Sequence, residues 1–157
     1  MGQTVAGFSK KGIAYIGVTR DDKAAGAARE DGFIAGLKNT GITLLEENKR
    51  TSAFTLESGY EAALDLLESK CDIDVISCAT DTIAAGAIEA IQTYLKKQVP
   101  ANAADAGARM RYILENTSIR VTGFGDNQML KAVSGGMQTS HFGYKTSGIR
   151  GTELLLD

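Results

Sequence analysis

Short apolar, β-branched runs alternate along this chain with longer segments of helical periodicity, and that alternation restricts the fold more than any other feature. The run Ile13-Ala14-Tyr15-Ile16-Gly17-Val18 is nearly continuous in apolar character, as a strand covered on both faces of a parallel sheet requires. Further strands are expected at Ile42 to Leu45, Ile73 to Cys78, Ile119 to Gly123 and Met137 to Ser140. Asp21 and Asp22 offer N-caps to a helix from about Ala24 to Asn39, stopped by Gly41, with Arg29, Phe33 and Leu37 on its inner face. Thr55 can cap a second helix carrying Leu56, Tyr60, Ala63 and Leu67 on one stripe. Asp81 opens a third helix through Leu95, with Ala84, Ala87, Ile88, Ile91 and Leu95 inward. A short helix from Gln128 to Val133 and a last one from about Lys145 complete the set. The reading is an α/β fold, a five-stranded parallel sheet with helices on both faces, spanning residues 1–157 as a single lobe. The alanine-rich stretch at 100–118 reads as a helical insertion, a surface helix from about Ala103 to Glu115.

At 157 residues the chain can bury about two-thirds of the surface its unfolded form exposes, so no disulfide or metal is needed to hold its core. Seventeen basic against 19 acidic side chains leave a net charge of −2, which gives this chain no electrostatic footprint for nucleic acid. Its two cysteines, Cys71 and Cys78, match neither a disulfide framework nor a zinc-ligand spacing. Met1 to Val5 lacks the apolar segment of a signal peptide, and no run approaches the ~20 apolar residues of a membrane span. A cytoplasmic protein without membrane contact is therefore expected.

In an open parallel sheet, ligands bind beyond the carboxyl ends of the strands, where the βα loops converge with helix N-termini. Five loops fall there: Thr19 to Asp22, Thr51 to Phe54, Ala79 to Asp81, Phe124 to Asn127 and His141 to Tyr144. Their hydroxyls, carboxylates, amide and aromatic rings suit a neutral polyhydroxylated ligand better than a phosphate, because aromatic faces cover the C–H side of a sugar while polar groups bond its hydroxyls. Asp81 and Asp126 also stand where N-caps belong, and Phe54 stands where a hydrophobic staple would pack on Gly59 or Tyr60. Arg29 on an inward helix face must find a carboxylate or a ligand. His141 has no serine or cysteine placed for activation, so no catalytic residue is assigned. There is no phosphate-binding loop, and Gly123-Phe124-Gly125-Asp126-Asn127-Gln128 lacks the third glycine of a dinucleotide fingerprint. Asp21, Asp22 and Asp81 could mimic a receiver domain's acidic pocket, but no lysine closes the fourth or fifth strand to pair with a phosphoryl group.

Taken in order, Ile13 to Val18, Arg29-x-x-Gly32-Phe33, Ser58-Gly59-Tyr60, Cys78-Ala-Thr-Asp81-Thr-Ile-Ala-Ala-Gly86-Ala87 and Val121-Thr-Gly-Phe-Gly-Asp126 resemble the effector domain of the LacI/GalR family of transcriptional repressors. The match covers all but the 100–118 insertion, and Asp22 to Gly26 with Phe142 to Lys145 look most like regulators of sucrose or trehalose operons. The resemblance implies a flavodoxin-like lobe of a periplasmic-binding-protein-like domain. It also implies ligand contacts from Arg29, Phe54, Thr80, Asp81, Asp126, Phe142 and Tyr144. The implied partners are a small sugar or sugar phosphate effector and a second copy in a homodimer, with DNA reached only through an N-terminal helix-turn-helix that has no counterpart in this sequence. No enzymatic activity, cofactor or metal is implied. On this reading the chain carries the second of two lobes, a fragment or half-domain with half of a binding site and weak sugar affinity. A transport binding protein of the same fold is the alternative, and a receiver-like domain the third reading.

Overall fold

The computed structural model describes residues 1–100, 105, 107, 108, 111, 112, 118–133 and 137–141. Five parallel strands form one sheet: β1 (Ile13–Gly17), β2 (Lys49–Thr51), β3 (Val75–Cys78), β4 (Arg120–Phe124) and β5 (Gln138–Ser140). Their order is β2-β1-β3-β4-β5, which reverses between β1 and β3. That reversal is the switch point of a doubly wound sheet. Every residue of β1 and β3 is buried, as their unbroken apolar character requires, while the edge strands β2 and β5 are half-exposed.

The helices are α1 (Gly2–Ala6), α2 (Arg29–Lys38), α3 (Leu56–Glu68), α4 (Asp81–Gln98) and α5 (Gln128–Val133). A π-helical turn, Lys23–Ala28, leads into α2, capped by Asp22, whose carboxylate accepts from the amides of Ala24 and Ala25. The helix expected from Ala24 thus forms in two parts. The wider turn is closed by Ala27 N donating to Asp22 O across five residues. Gly41, at φ +78°, turns the chain away after α2 while Ile42 N reaches back to Leu37 O at 3.2 Å.

The second strand is the main departure. Ile42 to Leu45 is not extended into the sheet; a 3₁₀ turn at Glu46–Asn48 precedes β2, which lies at Lys49–Thr51 in register with Tyr15, Ile16 and Gly17. The edge position explains the polar sequence. An outer strand needs little apolar surface, and Lys49 uses its ammonium to hold Glu30 of α2 and Glu46, at 3.0 Å each.

The inward stripe of α3 is Gly59, Ala62, Ala63, Leu66 and Leu67, rotated from the expected one so that Leu56 is exposed and Tyr60 half-buried. The cause is the crossing with α4. A side chain at Gly86 would overlap the Leu56 carbonyl and come within 2.6 Å of Tyr60 N, and one at Gly59 would lie 2.7 Å from Ile83 O. Two glycines let these helix backbones touch. Ala84, Ala87, Ile91 and Leu95 are buried as expected, joined by Ile83 and Ala90. Of the 100–118 insertion, residues 107, 108, 111 and 112 are helical. Residues 101–104, 106, 109, 110 and 113–117 of that stretch and the last helix lie outside the described residues.

Candidate effector-binding site

The carboxyl ends of the strands bring four of the expected residues to one edge of the sheet and leave a fifth, Asp81, just beneath it. Arg29, the first residue of α2, reaches across the switch point: its Nη1 donates to the Ala79 carbonyl after β3 at 2.5 Å, and its guanidinium lies 4.2 Å from the ring centroid of Phe124 at the end of β4. An inward arginine was expected to need a carboxylate or a ligand. A carbonyl and an aromatic face hold it instead, the ring being the attractive surface for a delocalised cation. Phe124 is the residue that sequence reasoning passed over, although it lies in one of the converging loops.

Phe54 is 50% exposed and stands between the end of β2 and the N-cap of α3. Half of its surface is thus left to solvent, where a hydrophobic staple on Gly59 or Tyr60 would bury it. The strand end below it is tied down by Ser52, whose amide and hydroxyl both donate to Gly17 O.

The caps are displaced by one residue from the expected carboxylates. Thr80, not Asp81, caps α4, accepting from Ile83 N at 3.2 Å. Asn127, not Asp126, accepts from Leu130 N at 3.0 Å at the start of α5. Asp81 is only 6% exposed, and its two oxygens are divided between the loops beyond it: Oδ2 accepts from Asn127 N at 2.7 Å and Oδ1 from Thr139 Oγ1 at 2.6 Å. Gly123 and Gly125 allow this approach, since a side chain at either would press on that carboxylate. One buried acid thereby fixes the ends of β4 and β5 relative to α4, in the first helical turn where a negative charge is favoured.

Asp126 adopts φ +61° and directs its carboxylate to Lys131 of α5 and to His141, whose Nδ1 lies at 2.7 Å. Lys131 first, and His141 with it, hold the Asp126 carboxyl below its ordinary value. Arg20 at the mouth is likewise engaged, with Glu30 at 3.1 Å and with both oxygens of Asp31. Among the described residues no cluster of His, Cys, Asp and Glu is arranged to hold a metal ion. In place of an acidic receiver pocket, Asp22 caps a helix turn and Asp81 is bonded to loops. Burial pushes the Cys78 thiol up, which leaves it protonated and inert. Phe142 and Tyr144 lie outside the described residues. No helix among the described residues is long and apolar enough to cross a membrane.

Residues 5–103 match the family model of periplasmic binding proteins and the sugar binding domain of the LacI family. The chain belongs to this family. It is similar, at 32% identity over 82 residues, to the HTH-type transcriptional regulator RegA of Clostridium saccharobutylicum, a match covering 52% of this chain and 25% of that protein. Its fold is also that of the transcriptional regulator CelR in complex with cellobiose (TM-score 0.77, 22% identity, 99% of this chain and 42% of the other). A dimeric Lac repressor gives a TM-score of 0.75 at 18% identity, over 99% of this chain and 50% of the other. The chain thus spans a quarter to a half of the length of these relatives. The family is one of binding and regulatory proteins. The five-stranded parallel lobe and the LacI-type resemblance read from the sequence are both borne out.

Proposed function

We propose that this chain is the carbohydrate-sensing part of a LacI-type transcriptional repressor, binding a small sugar at the carboxyl edge of its sheet. The observation that carries the reading is the Arg29 arrangement: a guanidinium fixed across the switch point by Ala79 O and the Phe124 ring, at the edge that also bears the exposed ring of Phe54. Such a guanidinium keeps further N–H donors for ligand hydroxyls, and Phe54 offers a stacking face. Thr80, Asp126, Phe142 and Tyr144 are the remaining proposed contacts, whereas Asp81 acts by positioning the loops.

A neutral sugar is favoured over a sugar phosphate. Arg20 and Lys131 at this edge are already paired with carboxylates, and His141 with Asp126, so of these cations only Arg29, held by a carbonyl and a ring, would meet a phosphate without first giving up a carboxylate. In a two-lobed domain the effector would change the angle between lobes and so the spacing of two DNA-binding heads in a dimer. Alone, one lobe makes only part of the contacts, and weak affinity is expected. The apolar stripe of α4 is buried within this lobe, so a homodimer would use apolar surface that the lobe leaves exposed, such as Met129 of α5 at 77% exposure.

Saturation-transfer NMR with sucrose, trehalose, cellobiose, fructose and glucose 6-phosphate tests the reading. Transfer to a neutral sugar that vanishes in Arg29→Ala and Phe54→Ala is expected. Transfer to the phosphate alone would overturn the preference for a neutral ligand, and transfer to none would overturn the site.

A further inference from the structure

Among the described residues, the buried side-chain polar atom without a hydrogen-bond partner is the Tyr15 hydroxyl. Tyr15 is central in β1 and 3% exposed, its ring stacked on Phe33 of α2 with centroids 4.9 Å apart. The ring leans along the strand toward the carboxyl edge. A side chain at Gly17, the last residue of β1, would lie 2.9 Å from Tyr15 Cε1, 3.6 Å from Cδ1 and 3.9 Å from Cζ, so one edge of the ring occupies the space above Gly17 that glycine leaves empty. Arg29 stands one helical turn from Phe33 toward the same edge. Burial first, and then the neighbouring charge of Glu30, push the phenol up against the opposing pull of Arg29, so it remains a neutral O–H donor.

Packing does not call for this oxygen. Phenylalanine would offer the same ring to Phe33 and the same fit over Gly17, and an unpaired buried hydroxyl destabilises the fold that contains it. The hydroxyl is explained if its acceptor arrives from the mouth of the site. We propose that Tyr15 is a specificity-determining residue at the floor of the carbohydrate site, its hydroxyl donating to an oxygen of the sugar held beneath Arg29. The inference rests on the carbohydrate-binding reading and adds to it a residue that no loop contains.

The test is Tyr15→Phe, with Phe54→Ala as an independent arm, each titrated with cellobiose, trehalose and sucrose and followed through backbone amide shifts. The expected result for a sugar that binds the parent chain is an apparent Kd about three- to tenfold higher in Tyr15→Phe, the span of one lost hydrogen bond, with Tm unchanged or raised. An unchanged Kd overturns the proposal, and so does a fall in Tm, which would give the hydroxyl a structural partner. If Tyr15→Phe binds as the parent does while Phe54→Ala fails to bind, only the Tyr15 inference falls. If the parent chain binds none of the three sugars, the underlying reading falls with it.

Discussion

Gly86→Ala and Gly32→Ala form a matched pair that isolates the helix crossing on which the geometry of the site depends. Both glycines are inside helices, so each substitution gains the same intrinsic helical preference of about 1 kcal/mol. They differ in what the new methyl meets. At Gly32 there is nothing within 4 Å, and the residue is exposed. At Gly86 the methyl overlaps Leu56 O and lies 2.6 Å from Tyr60 N, both backbone atoms of a helix turn capped by Thr55. Ordinary contact needs about 3.5 Å, so α3 must retreat by roughly 1 Å. Overpacking of that kind costs typically ~1–3 kcal/mol. Gly32→Ala should therefore gain ~0.5–1 kcal/mol and raise Tm by ~1–4 °C, while Gly86→Ala, which sets the overpacking cost against the same gain, should fall ~1–3 kcal/mol below Gly32→Ala and so melt several degrees lower than it. Thermal and urea unfolding followed by far-ultraviolet circular dichroism reads both, since the chain has no tryptophan. Equal shifts of the two variants, or a Gly86→Ala chain more stable than the Gly32→Ala chain, would refute the claim that α3 and α4 touch through their backbones.

Glu30 supplies a pH test. Burial works to raise its carboxyl, but the hydrogen bonds from Lys49 and Arg20 outweigh it and leave the group below its ordinary 4.5. The stability it contributes is complete above that ordinary value and is lost as pH falls through the lower folded value. Glu30→Gln should therefore be less stable at neutral pH and show a flatter stability profile between about pH 5 and 3; a parallel profile contradicts the pairing. Thr80→Ala removes the α4 cap and should cost ~1 kcal/mol in urea unfolding, whereas Thr80→Asn should retain most of it. Met129→Asp should reduce self-association in sedimentation velocity without lowering Tm, and a dimer indifferent to this change would place the interface elsewhere.

Much of the fold is legible in the sequence because burial on both faces of β1 and β3 demands uninterrupted apolar runs, and because Asp22, Thr55 and Gly41 act through local geometry. β2 was not legible: a three-residue edge strand is specified by its neighbours and by the Lys49–Glu30 pair rather than by its own composition. At the site, the loops could be selected by topology, and Arg29 by its conflict with an inward face. Which of two adjacent polar residues caps a helix could not be read, since Thr80 and Asp81, like Asp126 and Asn127, both have capping chemistry. Long-range partners such as Phe124 for Arg29, or Thr139 for Asp81, carry no sequence signal at all.

The central claim, a carbohydrate site at the carboxyl edge of the sheet, is tested most directly by mapping amide chemical-shift changes across the whole chain during titration with a neutral disaccharide at millimolar concentration. The account predicts saturable shifts concentrated at Thr19 to Asp22, Arg29, Phe54, Thr80 and Gly125 to Asn127. Shifts confined to the opposite edge, around Gly12, Asp74 and Ile119, or none at any residue, would contradict it.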